Sequence, residues 1–114
     1  MTDISDDPSF EDLDWAITAE GAREKVIDRD GKRVRLIELT DAFVHDEWCS
    51  KGHLISVLDG ALELTFSGRV EMIETGDICS IPSGYEHRHK PRAVTPTVQL
   101  LVIDTLDESG GRSG

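Results

Sequence analysis

Residues 76–87 read Gly76-Asp77-Ile78-Cys79-Ser80-Ile81-Pro82-Ser83-Gly84-Tyr85-Glu86-His87, and the fold follows from them. Gly76-Asp77 is a tight turn, because glycine enters positive φ at no steric cost. Ile78 to Ile81 then has the composition of a short strand. Pro82 has no N–H to give a ladder, so pairing ends there. Gly84 bends the chain, and His87 opens the next strand with a defined side of the sheet to face. A small β-barrel needs such corners to close.

On either side, short strands alternate with turns from about residue 25 onward. Residues 26–27 and 34–39 flank Asp30-Gly31, a pair that favours a hairpin. Residues 53–58 and 61–66 meet at a second such pair, Asp59-Gly60. Residues 70–73, 78–81, 87–90 and 97–104 complete the set, and only residues 9–19 have the pattern of a helical turn or two. Leu62, Leu64 and Phe66 share one side of their strand while Glu63 and Thr65 share the other, so one face is dry and one wet. About eight short strands with almost no helix predict an all-β fold, a small sandwich-like antiparallel β-barrel.

The spacing Gly76-x5-Pro82-x-Gly84-x2-His87 resembles the second signature motif of the cupin superfamily. The first cupin motif has two histidines one residue apart, a glutamate three or four residues on, and a glycine seven beyond that. Counted back from Gly60, its glutamate position holds His53 and its paired-histidine positions hold Cys49 and Glu47. Fifteen residues separate Gly60 from Gly76, close to the spacing of compact bacterial cupins. Both motifs and their connection cover about a third of the chain. The resemblance implies a jelly-roll-like double-stranded β-helix with a divalent metal ion inside the barrel, and it points to Glu47, Cys49, His53 and His87 as the ligands.

Parity supports part of that set. Glu47 and Cys49 are two apart and His53 is four beyond Cys49, so an extended chain turns all three the same way. One carboxylate, one thiol and two imidazoles suit zinc first. The three histidines and one glutamate usual in cupins suit iron, manganese or nickel instead. Each residue also has a plainer reading. Cys49 has the character of a small buried hydrophobe, Glu47 that of a solvated surface acid, and His53 that of a histidine bonded to a backbone carbonyl. His45 shares the parity of Glu47 and replaces it if the register slips; His89, two beyond His87, is the same kind of substitute. Tyr85 and Glu86 belong to the barrel mouth, as substrate contacts or simply as an exposed loop. Gln99 either lines the pocket or faces water. Trp48 opposes the parity of Cys49 and belongs outside the site; Cys79 reads as core.

A chain of 114 residues makes one domain with a modest core. Residues 1–22 hold seven acidic side chains and no Lys or Arg, which reads as an acidic, partly ordered arm; the barrel spans 23–107 and residues 108–114 form a flexible tail. The formal charge of −11 argues against nucleic acid and anionic membrane surfaces as partners. No apolar run is long enough to cross a bilayer, and the first residues lack the order of a secretory signal. Two cysteines make no disulfide framework, so the cytoplasm is the expected compartment. Exposed edge strands in a compact cupin predict a homodimer, paired through residues 34–39 or the arm before them. No phosphate loop, no Gly-x-Ser-x-Gly elbow and no paired Cys-x-x-Cys set is present. What remains is a small metal-binding cupin acting on a small polar metabolite, of isomerase, lyase or dioxygenase type. The alternative is a cupin module that binds or senses a small molecule without turnover.

Overall fold

The structure, a computed structural model, describes residues 9–44 and 47–105. Nine strands follow a 3-10 turn at Phe10–Asp12: β1 Ala16–Ala19, β2 Ala22–Arg29, β3 Lys32–Thr40, β4 His53–Asp59, β5 Ala61–Phe66, β6 Val70–Glu74, β7 Ile78–Ile81, β8 His89–Ala93 and β9 Thr97–Thr105. They form two antiparallel sheets, one in the order β1-β2-β3-β9-β4-β7 and the other β6-β5-β8. The sheets do not close into one barrel; they face each other as a jelly-roll-like sandwich. β1 and the start of β2 lie within residues 1–22, so the second half of the acidic segment is sheet. His45 and residues 106–114, the expected tail among them, fall outside the described residues.

The turns are the ones the sequence chemistry favours. Asp30 and Gly31 both take positive φ, at 55° and 76°, as a two-residue hairpin of matching twist requires. Gly60, at φ 98°, joins β4 to β5 where a Cβ would come within 2.6 Å of the Thr97 carbonyl oxygen. Only glycine fits that corner.

Leu62 and Leu64 of β5 are fully buried, and Ile73, Ala93, Ile55, Val57, Val98, Leu100 and Val102 close around them. Each large aliphatic buried here contributes on the order of 1.5–3 kcal/mol against unfolding. Antiparallel register puts directly paired residues on one face, so the inner face of the six-stranded sheet can be followed row by row. One end carries Ala22, Leu39 and Val98 side by side. The middle row is Val26, Arg35, Val102, Ile55 and Cys79. The far row runs Asp28, Arg33 and Asp104, with His53 next to Asp104. The interior therefore grades from hydrocarbon to charge, and the polar end is where a site can form.

β3 lies between β2 and β9, hydrogen-bonded along both sides. Residues 34–39 consequently have no edge to offer, which corrects the expectation of dimer pairing through them. Among the described strands the edges are β1 and β7 in one sheet, β6 and β8 in the other.

Candidate metal centre

Cys49, His53 and His89 come together at the polar end of the sandwich, each offering a ligand atom within 4.8 Å of the other two. Different backbone devices place them. His53 opens β4 and shares the inward parity of Ile55 and Val57. His89 opens β8, shares the parity of Pro91 and Ala93, and stands opposite Phe66 of β5. Cys49 lies in no strand; it exchanges two backbone hydrogen bonds with His89, each of 2.9 Å. That isolated bridge ties the segment before β4, in the large sheet, to the first residue of β8 in the small one. The thiol thus sits beside the imidazole of its backbone partner.

Both imidazoles are oriented by a second group. His53 Nδ1 lies 2.5 Å from Asp104 Oδ1, so Nδ1–H donates to the carboxylate and the Nε2 lone pair is left facing Cys49 Sγ, 3.5 Å away. Asp104 is held in turn by Arg35, whose Nη2 donates to Oδ2 at 3.0 Å, and Arg35 also approaches Glu24 at 3.7 Å. His89 Nδ1 donates to the His87 carbonyl at 3.1 Å, which leaves its lone pair on Nε2. A carboxylate or carbonyl behind each histidine is the arrangement that orients metal-binding imidazoles and raises their basicity. The two rings meet edge to face with centroids 5.3 Å apart, and His89 is only 3% exposed. A histidine buried that deeply needs polar company, and the other two members of the group supply it.

The donor set passes a simple distance test. In a tetrahedral zinc site with bonds near 2.3 Å to sulfur and 2.05 Å to nitrogen, a sulfur and a nitrogen ligand stand about 3.6 Å apart. The Cys49–His53 separation of 3.5 Å matches. One thiol and two imidazoles supply three protein ligands, the number found in zinc sites that keep a fourth position open. The group faces a cleft of about 750 Å³ that Glu24, Arg33, Arg35, Glu47, Trp48 and Lys51 also line. Arg35 Nε is itself buried and has no hydrogen-bond partner.

No protein-family model matches the sequence, and no curated protein does. Solved structures do match. KdgF from Halomonas sp. superposes with a TM-score of 0.71 at 16% identity, over 89% of this chain and 94% of that one. A cupin-superfamily sugar phosphate isomerase from Silicibacter pomeroyi gives 0.71 at 16% identity, over 85% and 73%. The cupin domain of Cnp3 from Schizosaccharomyces pombe gives 0.69 at 10% identity, over 91% and 71%. This chain has the cupin fold. At these identities the likeness is one of fold, and the chemistry rests on the chain's own residues.

Of the residues that the cupin motifs point to, the structure brings Cys49 and His53 together; the histidine beside them is His89, and His87 is not in the group. The reason is local. Gly84, at φ 132°, leads into a 3-10 turn at Tyr85–His87, with His87 N–H bonded back to the Gly84 carbonyl and Arg88 N–H to that of Tyr85. The chain is coiled at residue 87, so strand alternation starts two residues later. The His87 side chain is partly exposed and 4.0 Å from a Glu86 carboxylate oxygen, while the His87 carbonyl orients His89. Glu47 lines the cleft at a bend, and its carboxylate is not part of the three-ligand group. Tyr85 is exposed and stacks on Arg88. Trp48, expected outside the site, lines the rim of the cleft beneath Lys90 and Arg88. Gln99 faces outward and bonds to Glu38 at 3.3 Å. Cys79 packs against the core as a free thiol whose ionisation burial pushes upward.

The residues that sequence reasoning missed are Asp104 and Arg35. Both carried a signal: Asp104 has the parity of Leu100 and Val102 on β9, and Arg35 that of Ile37 and Leu39 on β3. A charge at an inward position marks a site more often than an accident.

Proposed function

We propose that this cupin binds a divalent metal, zinc first, through Cys49, His53 and His89, and acts on a small anionic, oxygen-rich metabolite. The convergence of those three donors, with both imidazoles turned by Asp104 and by the His87 carbonyl, carries the reading. A metal held there supplies a Lewis acid for a substrate oxygen. The remaining work falls to the chain. The Arg35 guanidinium and Lys51, both lining the cleft, suit a carboxylate or phosphate. The apolar floor from Leu62, Leu64 and Leu100 keeps water from the inner side of the group. Glu47, at the same cleft, is placed to exchange a proton with a bound ligand. The sugar phosphate isomerase of the same fold makes sugar phosphates the first substrate class to assay, for isomerase-type chemistry before lyase or dioxygenase chemistry.

The test is elemental analysis of protein purified without added metal, repeated on Cys49→Ala, His53→Ala and His89→Ala. The reading expects about one metal per chain in the wild type and loss in each variant. Full occupancy in all three variants would remove the ligand set. A metal-loaded protein that binds sugar phosphates but turns none over would move the conclusion to a binding module.

A further inference from the structure

The two sheets are unequal, six strands against three, and the small one does not span the large. β8 packs near β3 and β6 near β4, so β2 and the adjoining side of β3 extend past the small sheet. A sheet face left uncovered normally carries polar residues. This one carries a gradient instead. At its polar end Asp28 pairs with Arg33; one inner row further on Val26 pairs with Arg35, then Glu24 with Ile37, and finally Ala22 with Leu39. Val26 and Ile37 are only half-buried. Phe43, whose N–H bonds to the Thr40 carbonyl, closes the apolar end.

Apart from Asp28, these residues all line the cleft that holds Cys49, His53 and His89. The cleft is therefore long and has two unlike ends. Arg33 and Leu39 are six residues apart on β3, about 20 Å of strand. Its volume of about 750 Å³ falls in the upper part of the ~300–1,000 Å³ that ligand cavities span, more than a compact sugar phosphate fills. Cations gather at one end, where Arg33 and Arg35 line the cleft and Lys51 stands exposed at its wall. Glu24, part-way along, is drawn toward Arg35 at 3.7 Å. Beyond it the wall is hydrocarbon.

Building on the metal-site reading above, we propose that the ligand of this cleft is an amphipathic anion. Its carboxylate or phosphate head lies among Lys51, Arg33 and the three-donor group, and its unbranched aliphatic tail lies along Val26, Ile37 and Leu39. The head has cations and a metal to meet it at one end only, which fixes the direction in which the molecule enters. The tail follows from what the other end lacks. Valine, isoleucine and leucine side chains offer no hydrogen bonds, so hydroxyl groups pressed against them would lose water and gain nothing. A hydrocarbon chain gains instead, by up to about fourfold in affinity for each methylene taken out of water.

Isothermal titration calorimetry of the zinc-loaded full chain tests the proposal with sodium butanoate, hexanoate and octanoate, and with the alkyl phosphates of the same lengths. In one series or the other, affinity should rise about two- to fourfold per added methylene, with a heat-capacity change that grows more negative as the chain lengthens. Octanol, which has no charge, should bind at least about tenfold more weakly than the octyl anion of that series. Val26→Phe and Ile37→Phe push bulk into the trough, and each should flatten the series while leaving the butyl compound within about threefold of wild type. Far-UV circular dichroism reports their folding, and either variant alone suffices. Zinc content measured on the same samples lets the two readings fail separately. Flat series in protein that holds its zinc overturn the tail and leave the metal centre standing, whereas a rising series in protein that holds none sustains the tail and removes the metal centre. A rising series that the folded variants leave unaltered puts the chains elsewhere on the molecule and overturns the proposal.

Discussion

Asp104→Asn is the most revealing single change at the candidate metal centre. The two carboxylate oxygens do different work: Oδ1 accepts from His53 Nδ1 at 2.5 Å and Oδ2 from Arg35 Nη2 at 3.0 Å. An amide of the same shape has one oxygen and one NH2, so it cannot accept from both neighbours. Facing the oxygen toward His53 sets NH2 against the guanidinium; facing it toward Arg35 sets NH2 against Nδ1–H and forces the imidazole to exchange tautomers. Either choice loosens the ring whose Nε2 faces Cys49. Losing an orienting partner of this kind lowers metal affinity about 10- to 100-fold, or about 1.4–2.7 kcal/mol. Competition against a chromophoric zinc chelator, with wild type and Asp104→Asn side by side, measures it directly. An affinity within threefold of wild type would refute the claim that Asp104 orients a ligand. The double variant with Arg35→Met should recover part of the loss, because the amide is then released to give its oxygen to His53.

Further outcomes follow from other parts of the molecule. His89→Ala should abolish stoichiometric metal binding while His87→Ala keeps it within about threefold, since residue 87 acts through its backbone carbonyl; equal losses by metal analysis would reverse that assignment. Gly60→Ala should cost roughly 1–3 kcal/mol in urea unfolding, because the turn needs positive φ and the new methyl meets the Thr97 carbonyl, whereas Gly31→Asn, with open space around it, should cost well under 1 kcal/mol. Leu64→Ala, in the centre of the core, should cost about 2–5 kcal/mol in the same assay. Burial raises the pKa of the Cys79 thiol, so stability contributed by keeping it neutral is full below the ordinary thiol pKa and is lost as pH rises through the folded value. Alkylation of Cys79, followed by peptide mass, should therefore lag behind that of an unstructured thiol at pH 8.

The strands were legible because their punctuation is local. Asp30-Gly31, Asp59-Gly60 and Gly76-Asp77 each state a turn in two letters, and the alternation in 61–66 states a face in six. Cys49 and His53 were legible for the same reason, being four apart in one segment. The choice between His87 and His89 was not, because it hangs on whether the chain coils after Gly84, and a 3-10 turn of three residues has no composition of its own. Asp104 lies 51 positions from His53, and only the β4–β9 register joins them. The order in the later end of the arm has no local signature: residues 16–19 look solvated, and they are, but their backbone pairs with β2 all the same.

The bridge between residues 49 and 89 is made wholly of peptide groups, so the position of the thiol does not depend on its being a thiol. A histidine, an aspartate or an alanine at 49 would inherit the same address opposite residue 89. Preference among metals can therefore drift, through single-letter replacements there, without the scaffold being refashioned each time.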